Sequence, residues 1–353
     1  MTAVAVAPVS TPAPAIRRVL WGSYAFQLFF GLLLWVPIFY EYQRDLGLTD
    51  EQIFGIQSIY YVAFCLLEIP TGLIADRFDY RHALAAGGAV LVAANLLPVL
   101  SPTYGGFLAH FLLIALARAL VSGAASAYLY EYLHRAGRDD MYLPAEGRGR
   151  AYSLIGKVIG WPVVGVVMLW AHSSPYWLTA IASAISVAAA IALPRMLPAK
   201  AAEQDSAVRP RRPSVLQGLR GSLGAVKASR LLLLVMLQGI AIFTLARIAT
   251  VNLFQPILLD KQVPVVLHGT VMAAMTVAEA AGAARCDWIR RWMSDVKAIF
   301  ALTAVLTATL TATVLTGGWG TVVLLCVFAL AAGVAYPVQK QLLGDAITTP
   351  QYR

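Results

Sequence analysis

Apolar residues run along this chain in long blocks rather than in alternation or in narrow stripes. Ten blocks approach or exceed the roughly 20 residues a helix needs to cross a bilayer. They are 19–42, 52–75, 82–100, 106–133, 149–170, 175–198, 231–259, 264–285, 297–316 and 319–343. Short charged turns separate most of them. One longer polar stretch, 199–230, divides the blocks six plus four and carries Lys200, Arg209, Arg211, Arg212, Arg220, Lys227 and Arg230. The pattern predicts an all-α integral membrane protein: a six-helix bundle over 16–198, a basic cytoplasmic linker over 199–230 and a four-helix half over 231–353. The later part of the linker reads either as a basic amphipathic helix on the membrane surface or as unstructured basic chain. Residues 1–15 lack the basic start and continuous apolar core of a cleaved signal, and read as a disordered tail.

Composition agrees with the pattern. Of 353 residues, 59% are hydrophobic and 13% charged, where a soluble domain carries about 25% charged residues. The net charge of +9 does not point to nucleic acid, because of where the charges fall. With the N-terminus cytoplasmic, the inner loops hold Arg17, Arg18, Arg77, Arg81, Arg135, Arg138, Arg148, Arg150, the linker cluster, Arg285, Arg290, Arg291 and Lys297. The outer loops hold only Arg44 and Lys261. That asymmetry predicts a multi-pass protein of the plasma (inner) membrane with both termini cytoplasmic and its positive face on anionic lipid. Cys65, Cys286 and Cys326 lie in or beside apolar blocks and form neither a disulfide framework nor a metal-type spacing. Zinc-hydrolase, serine-hydrolase and phosphate-loop signatures are missing, as is any Cys/His cluster. No enzyme, cofactor or metal is expected.

Three motifs carry a family resemblance. The stretch "EIPTGLIADRFDYRHAL" over 68–84 joins the second block to the third. It resembles the signature loop of the major facilitator superfamily, roughly G-x-x-x-D-R-x-G-R-R, with Gly72, Asp76, Arg77 and Arg81 in register, Asp79 in place of Gly and Tyr80 in place of a basic residue. "SGAASAYLYEYL" over 122–133 resembles the end of helix 4 in one branch of the superfamily, with Glu131 in place of Asp. "GKVIGWPVVG" over 156–165 resembles the helix 5 motif of its proton-coupled exporters through Gly156, Gly160, Pro162 and Gly165. Trp161 interrupts that motif and Val166 replaces its last Gly. The resemblance implies an alternating-access fold of two repeated halves. Asp76, Arg77, Arg81 and Glu131 would then form a cytoplasmic latch that breaks and reforms. The alternative is that these Asp and Arg only cap helix ends. The family has twelve helices, and the end "GDAITTPQYR" resembles the loop after helix 10. Helices 11 and 12 are therefore expected to be absent, as in a ten-helix variant, a truncated paralogue or a partial chain.

Ionisable groups at membrane depth cost several kcal/mol unless paired or hydrated, so they are functional candidates. At about 1.5 Å per residue, Glu68 lies about 13 Å from the inner end of its helix, Lys157 about 10 Å and Glu279 about 9 Å. Arg118 and Arg247 lie about 25 Å from the inner end. By the resemblance, helices 4 and 7, which carry these two Arg, line the central cavity. Two Arg at matched depth suit an anionic or carbonyl-rich substrate, since a planar fork of donors fits a carboxylate or phosphate, so both are candidate substrate-binding residues; otherwise each Arg satisfies backbone carbonyls or snorkels outward. His110, Asn252 and Gln255 fit helix packing better than a ligand. Glu68 is the candidate proton carrier, with a structural helix-end role as its alternative. Lys157 and Glu279 form a candidate gate pair, because helices 5 and 8 meet across the halves in the superfamily. Trp21, Tyr40, Tyr42, Tyr104, Trp170, Trp177 and Trp319 read as interfacial anchors.

These readings converge on a secondary active transporter that moves a small, anionic organic molecule, outward and in exchange for protons. The competing reading is a non-transporting relative: a sensor, an assembly partner or a truncated paralogue.

Overall fold

The protein is described from a computed structural model that covers residues 13–75, 79–195 and 230–348. Helix forms within the described part of each of the ten apolar blocks, the first with a break. The chain forms two compact units, Met1–Gln204 and Asp205–Arg353. The first holds α1 (Ala13–Gly31), α2 (Phe39–Asp45), α3 (Asp50–Ala75), α4 (Tyr80–Leu100), α5 (Tyr104–Ser122), α6 (Ala124–Arg135), α7 (Tyr142–Met168) and α8 (Ser174–Ala192). The second holds α9 (Arg230–Arg247), α10 (Phe254–Asp260), α11 (His268–Ala284), α12 (Cys286–Trp292), α13 (Asp295–Leu315) and α14 (Gly318–Thr348). Among the described residues seven helices are long and apolar enough to cross a membrane, and the bent α9–α10 pair makes an eighth. The tail before residue 13 and nearly all of the predicted linker lie outside the described residues.

Local chemistry sets the helix starts. Thr49 and Gln52 form a capping box before α3: the Thr49 hydroxyl accepts the Gln52 N–H (3.4 Å) and the Gln52 side chain accepts the Thr49 N–H (3.1 Å). Thr103 caps α5 through the Gly106 N–H at 3.2 Å, and Asp79 caps α4 through the Arg81 N–H at 3.1 Å. At the far end of α13, Lys261 donates to the Val314 carbonyl at 3.2 Å. One of the two predicted outer cations thus serves a helix C-terminus.

In unit 1 the helices approach through small residues, as expected where lipid supplies no drive for helix association. On α4, Gly87 faces the Ala117 carbonyl of α5, and Gly88 faces Ser186 and Val187 of α8. The helix 5 glycines lie on the seam with the first span. A methyl on Gly160 would come within 2.8 Å of Leu34, and one on Gly156 within 3.4 Å of Leu28. Gly165 is buried on the same helix. In unit 2, α14 is the central helix. It packs on α9, α11 and α13, and with α9 and α13 it encloses Ile242, Leu302, Leu306, Phe328 and Val338.

The first block is not one helix. It breaks after Gly31 and resumes at Phe39, with Pro37 in the gap. Backbone groups exposed by a break inside an apolar layer need partners, and neighbouring side chains supply them. The Leu34 N–H donates to the Thr179 hydroxyl at 3.0 Å, and the Leu33 carbonyl accepts from the Trp161 indole at 3.0 Å. Trp161, which interrupts the helix 5 motif, therefore has a structural task. Exchange of Thr179 for Val keeps the shape but leaves a buried N–H without its acceptor, a loss of about 1–3 kcal/mol. Thermal unfolding of the Thr179→Val protein in detergent should show a clearly lowered midpoint, and an unchanged midpoint would contradict this role.

A second polar repair lies on α4. Pro98 has no N–H and so orphans the Ala94 carbonyl one turn earlier. His110 of α5 fills the gap: its Nδ1 lies 2.6 Å from that oxygen, and since a carbonyl can only accept, Nδ1 carries the hydrogen. Beside it Trp35 donates to Asn95 at 2.7 Å and stacks on Tyr176. His110, Asn252 and Gln255 are all buried in their units, in keeping with packing. Tyr40 and Tyr42 depart from the interfacial expectation. Both are buried, Tyr40 donating to Asp50 (2.7 Å) and Tyr42 to the Pro98 carbonyl (3.4 Å). The short α2 turns them into the bundle. Trp21, Tyr104, Trp170, Trp177 and Trp319 are exposed, as anchors would be.

Candidate functional site

Arg118 lies on α5, half-buried, one helical turn before the end of that helix at Ser122. Its Nη1 donates to the Tyr60 hydroxyl of α3 at 2.9 Å. Tyr60 is itself held: it is 5% exposed, and its ring meets Tyr61 at 5.0 Å, Phe111 at 5.9 Å and Phe64 at 6.4 Å between centroids. Phe111 is two helical turns before Arg118 on α5, and it packs on Trp35 and Phe39. The guanidinium is therefore fixed by a phenol that is anchored in the aromatic core. No acidic side chain pairs with Arg118 among the described residues. Among the described residues no counter-charge faces it.

Arg247 closes α9 in the second unit and is half-buried. A π-helical turn, Ile248–Asn252, follows it immediately, and the two parts of the span meet at 52°. Among the described residues Arg247 makes neither an ion pair nor a side-chain hydrogen bond. The first span of each unit is thus discontinuous, at residues 32–38 and at 248–252. Interrupted helices in corresponding positions of two halves are a structural pointer to a transporter's binding region.

The other predicted residues are placed as follows. Glu68 is exposed on α3, in line with Cys65. Lys157 is half-buried on α7, and Glu279 is exposed on α11. Asp76 and Arg77 lie outside the described residues, and of Gly72 only its place in α3 is described. Arg81 is half-buried at the start of α4. Glu131 pairs with Arg135, one turn on in the same helix. Glu146, which the sequence did not single out, accepts the Ser126 hydroxyl at 3.0 Å and pairs with Arg150 at 3.6 Å. Sequence reasoning also missed Tyr60. Counting along the second block puts its polar tip at nearly the depth of Arg118, and that match was the available signal.

Comparison with known proteins gives the context. The chain is 30% identical over 151 residues to the inner membrane transport protein YajR of Escherichia coli (strain K12), an alignment spanning 42% of this chain and 30% of that protein's length. Among solved structures it is similar to the nucleoside transporter NupG (TM-score 0.75, 15% identity, 96% of this chain and 84% of that one). It is also similar to a bacterial homologue of the lysosomal transporter Spinster (TM-score 0.69, 15% identity, 97% and 78%) and to a D-xylose–proton symporter (TM-score 0.61, 12% identity, 93% and 82%). These likenesses are of fold. The family model of the Major Facilitator Superfamily matches residues 19–351. With its apolar helices in two units, this multi-pass membrane chain belongs to the Major Facilitator Superfamily, a family of transporters and not of enzymes.

Proposed function

We propose that the protein carries a small organic molecule with an anionic group across the membrane by alternating access, outward and in exchange for protons. The observation that carries the reading is that neither Arg118 nor Arg247, one in each unit, meets a counter-charge among the described residues. A cation in an apolar layer without a counter-charge is costly, and a substrate carboxylate or phosphate supplies that counter-charge with bidentate geometry. Export rests on the resemblance of Gly156, Gly160, Pro162 and Gly165 to the helix 5 motif. Proton exchange rests on Glu68, a carboxylate in an apolar span. The termini and the basic loops face the cytoplasm, where anionic headgroups meet Arg and Lys. Flux of an organic anion through the purified protein in liposomes, with and without an imposed pH gradient, tests the reading. Flux accelerated by the gradient supports it, and flux indifferent to the gradient removes the proton from the mechanism.

Asp76, Arg81 and Glu131 are proposed to form a cytoplasmic latch, and Lys157 and Glu279 a gate that closes when that side shuts. The gate has a direct test. Lys157→Glu and Glu279→Lys should each depress transport at least several-fold, since each puts like charges together. The double exchange should restore most of it. A double variant no better than the singles would exclude the gate.

A further inference from the structure

We propose that Tyr60 is a second binding residue that joins Arg118 in one oxyanion receptor. This rests on the reading of Arg118 as a substrate residue and adds a second group and a sharper ligand class to it. The phenol oxygen accepts the Arg118 Nη1–H at 2.9 Å. With that lone pair engaged, the phenol's own hydrogen must point elsewhere, and no acceptor for it occurs among the described residues. A guanidinium has five N–H donors and no acceptor, and Tyr60 uses one of them. The pair therefore presents N–H and O–H donors side by side and no free acceptor of comparable strength. A carboxylate, phosphate or sulfonate oxygen satisfies such a surface. An uncharged polyol or amide brings donors of its own that would find nothing to accept them.

The surroundings keep the arrangement in place. Tyr60 is buried and contacted by three rings, so its hydroxyl cannot follow a moving arginine. Arg118, in contrast, is half-exposed on a long flexible stem. The rigid partner is the phenol, and the guanidinium takes its orientation from it.

Benzoate and its neutral isostere benzamide are suitable probes, titrated calorimetrically into the purified full chain in uncharged maltoside micelles. Wild type should bind benzoate more than tenfold tighter than benzamide. Tyr60→Phe keeps the ring and removes the hydroxyl. It should weaken benzoate about tenfold, the scale of one hydrogen bond to a charged group, with benzamide binding and the thermal midpoint unchanged. Arg118→Gln should abolish the preference, and Arg118→Lys should retain it in weaker form. If Arg118→Gln abolishes the preference while Tyr60→Phe binds benzoate like wild type, Tyr60 only packs and this inference falls alone. Equal weakening of both probes in Tyr60→Phe has the same meaning. A wild type without preference, or an Arg118→Gln protein identical to wild type, overturns both this inference and the substrate role of Arg118. Phosphatidylglycerol added to the micelles should not compete with benzoate, and competition would make the bound anion a lipid headgroup and overturn the solute site.

Discussion

Alanine at Gly333 or Gly282 will cost this protein more stability than alanine at any open glycine of its helices. The two residues sit on opposite sides of one crossing, between α14 and α11. A methyl on Gly333 would overlap the backbone carbonyl of Glu279, and one on Gly282 would overlap the carbonyl of Leu330. A flexible side chain can swing away from such a contact, but backbone in two packed helices cannot. The helices must separate, at a cost of about 1–3 kcal/mol for each overpacked site. Each single variant should melt at a lower temperature in detergent, and the double variant should yield little monodisperse protein. Gly55→Ala on α3 is the control, because nothing lies within 4 Å of the added methyl. It should be neutral or slightly stabilising, as alanine favours helix over glycine. A Gly333→Ala protein as stable as the control would show that the crossing is not tight. Glu279 is carried on the same seam, so a moderately destabilised variant should also transport poorly.

Loss of charge at Arg118 is expected to abolish transport of anionic solutes while leaving the fold intact. Its guanidinium makes one described hydrogen bond, to Tyr60, and no ion pair with a described acid. Arg118→Gln therefore breaks no internal salt bridge, so its effect on stability should be small. The same change removes the fork proposed to hold a carboxylate. A charged hydrogen bond contributes about 1.5–3 kcal/mol, so a bidentate contact supports a loss of at least a hundredfold in affinity for the anion. Arg247→Gln should act in the same direction. Unaltered flux in both variants would remove the anion site altogether.

The sequence made some of this visible and hid the rest, for physical reasons. Hydropathy located the long helices among the described residues, because an apolar layer demands a continuous apolar block, but it passed over the short α12, which lies between two blocks. The same averaging concealed the breaks. Pro37 marks the first interruption, but the π turn after Arg247 follows from no proline or glycine in "RIATVN". Tyr40 and Tyr42 read as interfacial because they lie at a block's end, and only the turn into α2 shows that they are buried. Arg118 stood out as a charge in an apolar helix. Its partner Tyr60 did not, since a tyrosine in such a helix is ordinary until a neighbour is known. Gly156 and Gly160 were legible through a motif, whereas Gly282 and Gly333 matter only because two distant segments cross at them.

One measurement bears on the central claim most directly: uptake of a radiolabelled organic anion, tested against a neutral analogue, into liposomes containing purified wild type, Arg118→Gln or Arg247→Gln. Saturable flux of the anion in wild type, accelerated by a pH gradient and lost in both variants with the fold retained, is the predicted result. Equal flux in all three proteins, or a preference for the neutral analogue in wild type, would contradict the account.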